Sequence, residues 1–131
     1  MSTRSAIIMK TDSGYAGIYC YFDGYKEGVG ATLLTHYTDA GKVAALIQLG
    51  DISILGDVVS PAVGDVHTFD APIKGVTVAY GRDRGETEIE PKVGKTVAEV
   101  SEQIGHNGYV YVFKNGQWTC NGRKFKTKIA A

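Results

Sequence analysis

Two arginines stand two positions apart in Tyr80-Gly-Arg-Asp-Arg-Gly-Glu86, bracketed by Gly81 and Gly85. A guanidinium is a planar fork of donors matched to phosphate or carboxylate oxygens, and flanking glycines let the backbone bring two such forks together. Read as the extended end of a strand, the segment puts Arg82 and Arg84 on one side, where both can reach a single dianionic ligand. The same residues alternate in sign with Asp83 and Glu86, which is also the pattern of a solvated salt-bridge cluster. At this level both readings stand.

The second cluster is Tyr19-Cys-Tyr-Phe-Asp-Gly-Tyr-Lys-Glu-Gly28. Aromatic faces beside polar groups suit a heterocycle that is both stacked and hydrogen-bonded, with Tyr21 or Tyr25 as the stacking ring and Asp23 or Glu27 as the acceptor. Strand alternation puts Tyr19 and Tyr21 on one side and Cys20 and Phe22 on the other, so one of the two faces is core. The glycines of Glu27-Gly-Val-Gly30 lack the lysine of a P-loop and the spacing of a dinucleotide fingerprint, and helix entry explains them.

Other reactive types are scattered. His36, His67 and His106 are isolated, with no serine or cysteine in a nucleophile motif beside them. Asp23 with Glu27, or Asp83 with Glu86, can do acid–base work only if burial splits their pKa values, and a polar turn is the simpler reading. Cys20 and Cys120 stand in no Cys-x-x-Cys spacing, so neither a metal site nor another cofactor is expected and each thiol reads as a small buried hydrophobe. Tyr109, Tyr111, Phe113 and Trp118 resemble a base-stacking platform, but their alternation is what a half-buried hairpin needs.

The elements that must position these residues follow from periodicity and turn chemistry. Apolar runs at Ser5 to Met9 and Ile18 to Phe22, separated by Thr11-Asp-Ser-Gly14, predict a hairpin. Val29, Leu33, Leu34 and Tyr37 predict a helix from near Glu27, and Thr38 or Asp39 caps a second one ending before Gly50. Residues 50 to 74 read as a long ordered loop, 75 to 80 as a strand, and Thr96-Val-Ala-Glu99 as the capping box of a third helix stopped by Gly105. Asn115-Gly116 predicts a type I′ hairpin, and the basic run from Arg123 an edge strand or frayed tail. Without regular β-α-β alternation the expected class is α+β, a single domain over 1–131, with a mostly antiparallel sheet and about three short helices gathered on one face.

The chain has 131 residues, 44% hydrophobic, with 14 basic and 14 acidic side chains. Zero net charge argues against strong nucleic-acid binding, and the longest apolar run, Val43 to Ile47, is far below the ~20 residues of a membrane span. No signal-peptide core follows the amino terminus, so a cytoplasmic location is expected.

Met1-Ser-Thr-Arg-Ser5, Phe22-Asp-Gly-Tyr-Lys-Glu-Gly-Val-Gly30, Leu49-Gly-Asp-Ile-Ser53 and Tyr80-Gly-Arg-Asp-Arg-Gly-Glu86 together resemble a family of small, largely uncharacterised proteins of phages, prophages and plasmids. The resemblance covers about residues 1 to 86 well and the last third loosely. It implies a bacterial cytosol and an accessory role during infection, such as countering host defences; it carries no catalytic residues. The expected function is sequestration of a small anionic, nucleotide-derived ligand by Arg82, Arg84, Tyr21, Asp23, Tyr25 and Glu27 in a homo-oligomer. The alternatives are a protein–protein inhibitor of a host defence enzyme, and a small nucleotide lyase or phosphodiesterase using Asp23, Glu27 or His36.

Overall fold

The structure, a computed structural model, describes residues 3–105 and 108–127. The expectations for His106 and for the end of the basic tail therefore lie outside the described residues. The first hairpin pairs β1 (Ser5–Thr11) with β2 (Gly14–Cys20) through the Asp12-Ser13 turn. A single π-helical turn at Lys26–Gly30 then runs into α1 (Ala31–His36). The Asp39 carboxylate accepts the Lys42 N–H at 3.0 Å and so caps α2 (Ala40–Gln48), while Gly50 leaves that helix with φ 78°.

Next come the short strands β3 (Ile52–Ile54) and β4 (Val78–Ala79), the single-turn helix α3 (Tyr80–Arg84) and β5 (Lys92–Gly94). The helix α4 (Val97–Ile104) starts at the expected cap. Thr96 Oγ1 accepts the Glu99 N–H at 3.1 Å, although the Glu99 carboxylate reaches back to the Lys95 N–H rather than to that of Thr96. The strands β6 (Val110–Lys114) and β7 (Gln117–Cys120) close over Asn115 and Gly116, whose φ values of 53° and 75° are those of a type I′ turn. An edge strand β8 (Arg123–Lys124) follows.

The sheet runs β4-β3-β2-β1-β6-β7-β8, with β5 joining β2 beside the N-terminal half of that strand. It is mixed but mostly antiparallel, as the α+β reading expects; β1·β6 and β2·β3 are the parallel pairs. Alternation along β1 divides the core. Ile7 points to a larger cluster with Leu33, Tyr37, Val43, Leu46, Tyr111 and Trp118, whereas Ala6 and Ile8 point to a smaller one with Val100 and Val112.

The helices are therefore not gathered on one face. α1 and α2 cover the larger cluster and α4 packs on the opposite side. Gly17 is the reason α4 can approach: a Cβ there would stand 2.7 Å from Ile8 Cγ1 and 3.0 Å from Val100 Cγ1. Buried phenols and the indole find partners, Tyr37 Oη donating to Gly56 O, Tyr111 Oη to Gly24 O and Trp118 Nε1 to Tyr37 O. Both cysteines are buried, and burial pushes the Cys20 thiol up to about 12.

Candidate functional site

The Arg82 segment is helical where an extended strand end was expected. Asp83 Oδ2 accepts the Ala79 N–H at 2.8 Å, and Gly85, at φ 75°, returns its N–H to Gly81 O at 2.9 Å. These two closures satisfy one end each of a single turn. Residues two apart on a helix diverge by about 200°, so Arg82 and Arg84 leave in different directions.

Arg82 turns into the protein. Its Nη1 donates to Val59 O at 2.8 Å and to Ser60 Oγ at 3.3 Å, its Nη2 to Thr77 O at 2.6 Å and Asp83 Oδ2 at 3.0 Å, and its Nε to Asp83 Oδ1 at 2.9 Å. His67 completes the arrangement. Its Nδ1 accepts the Ile73 N–H at 2.9 Å, which assigns the proton to Nε2, and Nε2 faces Thr77 O at 3.1 Å and Asp83 Oδ2 at 3.3 Å.

The His67 and Asp83 side chains are 1% and 4% exposed, so this is an interior latch. Burial alone would raise the Asp83 carboxyl, but the Arg82 and Ala79 donors and the Arg82 charge outweigh it and hold it below the ordinary carboxylate range. The latch orders residues 55–77 against α3. Asp83 and Glu86 are consequently not an acid–base pair, because Asp83 is turned inward and Glu86 Oε2 pairs with Arg84 Nη2 at 2.8 Å.

Arg84 faces the other way, onto aromatic rings. Its guanidinium carbon lies 4.5 Å from the Phe69 centroid and 5.5 Å from that of Tyr80, whose rings are 5.6 Å apart. Across the sheet edge Arg4 lies 5.1 Å over Tyr21, and Tyr21 is 6.3 Å from Tyr19. Asp51 ties the two halves together. Its carboxylate accepts the Tyr19 N–H at 3.0 Å and its carbonyl the Tyr80 N–H at 3.3 Å.

Charge and burial act along this strip. The hydrogen bond to Tyr21 raises the Arg4 pKa, and burial raises the Tyr19 and Tyr80 phenols, with Arg4 opposing at Tyr19 and, at Tyr80, the hydrogen bond with Ser53 first and the Arg84 charge second. The result is a strip of half-buried tyrosines, Tyr21, Tyr19 and Tyr80, between two exposed guanidiniums. It lies on the face opposite Ile18 and Cys20, which belong to the larger core cluster.

Tyr21 and Arg84 are thus brought into one strip, and Arg82 is not. Asp23, Tyr25 and Glu27 occupy the turn that follows Tyr21. Asp23 sits at φ 58° with its carbonyl accepting the Val29 N–H at 2.7 Å, and Tyr25, exposed, donates its hydroxyl to Asp23 Oδ1 at 3.5 Å. His36 lies on the α1 side of the sheet, its Nε2 3.4 Å from Asp57 Oδ1. Tyr111, Phe113 and Trp118 are buried, so the hairpin alternation reflects core packing rather than an open stacking platform.

Arg4, Tyr19, Tyr80 and Phe69 were not among the expected site residues. The hairpin register contains a signal for Arg4: Ser5 pairs with Cys20, so Arg4 falls opposite Tyr21 on the next rung. Phe69 carries no such signal, because a loop alone brings it to Tyr80. Among the described residues no cluster of three or more His, Cys, Asp or Glu is arranged to hold a metal ion, and no helix is long and apolar enough to cross a membrane. No family model, no curated protein and no solved structure matches the chain.

Proposed function

We propose that this chain is a binding module that sequesters a small planar anion of the nucleotide type on the strip from Arg4 through Tyr21, Tyr19 and Tyr80 to Arg84. The observation that carries the reading is the pair of guanidiniums, each held over an aromatic ring at one end of a tyrosine row. Stacking orients a guanidinium and leaves donors at its edge for phosphate, while a tyrosine face takes a base. Asp23, Tyr25 and Glu27, in the adjoining turn, supply acceptors for sugar or base, and Arg82 serves by holding α3 in place. In a bacterial cell under infection, the role suggested by the sequence resemblance, such a module withdraws a nucleotide-like defence signal.

The test is calorimetric titration of a panel of nucleoside mono- and diphosphates and cyclic dinucleotides, together with native mass spectrometry of the protein purified from bacteria. At least one nucleotide should bind, and Arg4→Ala with Arg84→Ala should weaken it by about tenfold or more while the thermal midpoint moves little. Wild-type affinity in that double variant would remove the strip from consideration. The mass spectrum also reads the oligomeric state, for which a homo-oligomer is proposed.

A protein partner is the second reading, and one observation favours it. Val63 and Val66 are 105% and 81% exposed on the loop that the His67–Asp83–Arg82 latch holds in place. An ordered loop presenting apolar side chains has already lost the entropy that docking would otherwise cost. Loss of a host-protein complex in Val63→Ser with Val66→Ser, with nucleotide binding intact, separates this reading from the first.

A further inference from the structure

α4 packs over β1, β2 and β5, and its Val100 meets Val112 of β6 in the smaller core cluster. Past that contact a groove of about 660 Å³ runs between α4 and the same face of β6 and β7. That size is within the ~300–1,000 Å³ of small-molecule sites. Its floor is apolar, formed by Val110 and Val112 from the sheet and Val97 from α4, and Thr119 lines it from β7.

One end of the groove is cationic. Lys114 lines it directly. The parallel register pairing Met9 with Phe113 carries Lys10 beside Lys114 on the next rung, on the same side as Ile8 and Val112. Lys10 does not itself line the groove: its Nζ donates to the Thr11 carbonyl and lies 5.6 Å from the ring centroid of Tyr15, which does line it. Among the described residues neither lysine is ion-paired. An apolar trough with Lys114 at its end, and the positive charge of Lys10 close by over Tyr15, is complementary to a molecule with an apolar body and a carboxylate at one end. A neutral body alone leaves Lys114 without a counter-charge, and an ammonium head is repelled.

We propose that this groove is a binding site for an amphiphilic carboxylate, a medium-length apolar chain or ring ending in one carboxylate that faces Lys114, with the nearby charge of Lys10 adding attraction. The site is separate from the Arg4 to Arg84 strip and does not depend on it.

The probes are octanoate, octanol and octylamine, titrated into isotopically labelled protein and followed by amide chemical shifts. Octanoate should perturb β6, β7 and α4, bind at least about tenfold more tightly than octanol, and leave octylamine without measurable binding. Lys10→Gln with Lys114→Gln, both exposed positions, should abolish the advantage of octanoate over octanol. Thr119→Asp, which places a like charge in the groove, should prevent octanoate binding while the spectrum of the folded protein persists. The proposal is overturned if octanoate does not bind, if octylamine binds equally well, if the double lysine variant keeps the preference, or if the shifts fall on Tyr19, Tyr21 and Tyr80.

Discussion

Arg82 and Arg84 are chemically identical and two residues apart, yet the structure gives them opposite work. Arg82 satisfies the carbonyls of Val59 and Thr77 and the inward-facing Asp83 carboxylate, so removing it leaves a nearly buried charge with fewer donors. Arg82→Ala should cost about 2–4 kcal/mol of stability at neutral pH, measured by urea unfolding. Arg84→Ala, losing an exposed pair, should cost no more than about 1 kcal/mol. The sign of the pH dependence follows from Asp83. Its folded pKa is held below the unfolded value of about 3.9, so its contribution is complete above that value and fades as pH falls through the lowered folded one. The deficit of the Arg82→Ala variant should therefore shrink below about pH 4, and a constant deficit down to acid unfolding would show that Asp83 is not the group Arg82 serves.

Among elements, α4 depends on one small residue in the strand beneath it. Because the missing Cβ of Gly17 is what lets Val100 reach Ile8, Gly17→Ala should destabilise by about 1–3 kcal/mol through overpacking. Hydrogen exchange checks the locality. Protection should drop in α4 and β5 before it drops in α2, which packs on the other side of the sheet. A uniform loss across both helices would mean that the two clusters open as one unit.

For the molecule as a whole, the central strand β1 takes its two partners from opposite parts of the sequence, β2 directly after it and β6 more than ninety residues later. The larger core also depends on the last third, because Tyr111, Phe113, Trp118 and Cys120 belong to it. A chain ending at Gly105 loses these side chains and exposes the β1 edge. It should show no cooperative thermal transition by circular dichroism, and a sharp transition would refute the claim that the sheet is completed from both ends. Pairing at such separation also places this fold among those that close long loops before gaining contacts, a slow route to the native state.

Local chemistry determined what was legible in the sequence. The first hairpin, the Asp39 and Thr96 caps, the type I′ turn at Asn115-Gly116 and the α+β class all rest on interactions within a few residues, and the structure has them. Alternation set Tyr19 and Tyr21 apart from Cys20 but left open which side is core, and it fails at Phe22, which is exposed just past the end of β2. Tertiary structure alone decided the rest. It put α4 across the sheet from α1 and α2, because only β1 alternation in three dimensions shows that Ala6 and Ile8 need a cover of their own. It wound Tyr80 to Arg84 into a turn, because Asp83 closes on the Ala79 N–H and His67 arrives from a loop thirteen residues upstream of Tyr80. Arginine donors take the nearest buried acceptors that the fold supplies. Spacing could not show that Val59 and Thr77 would hold those acceptors for Arg82 and leave Arg84 to the aromatic strip.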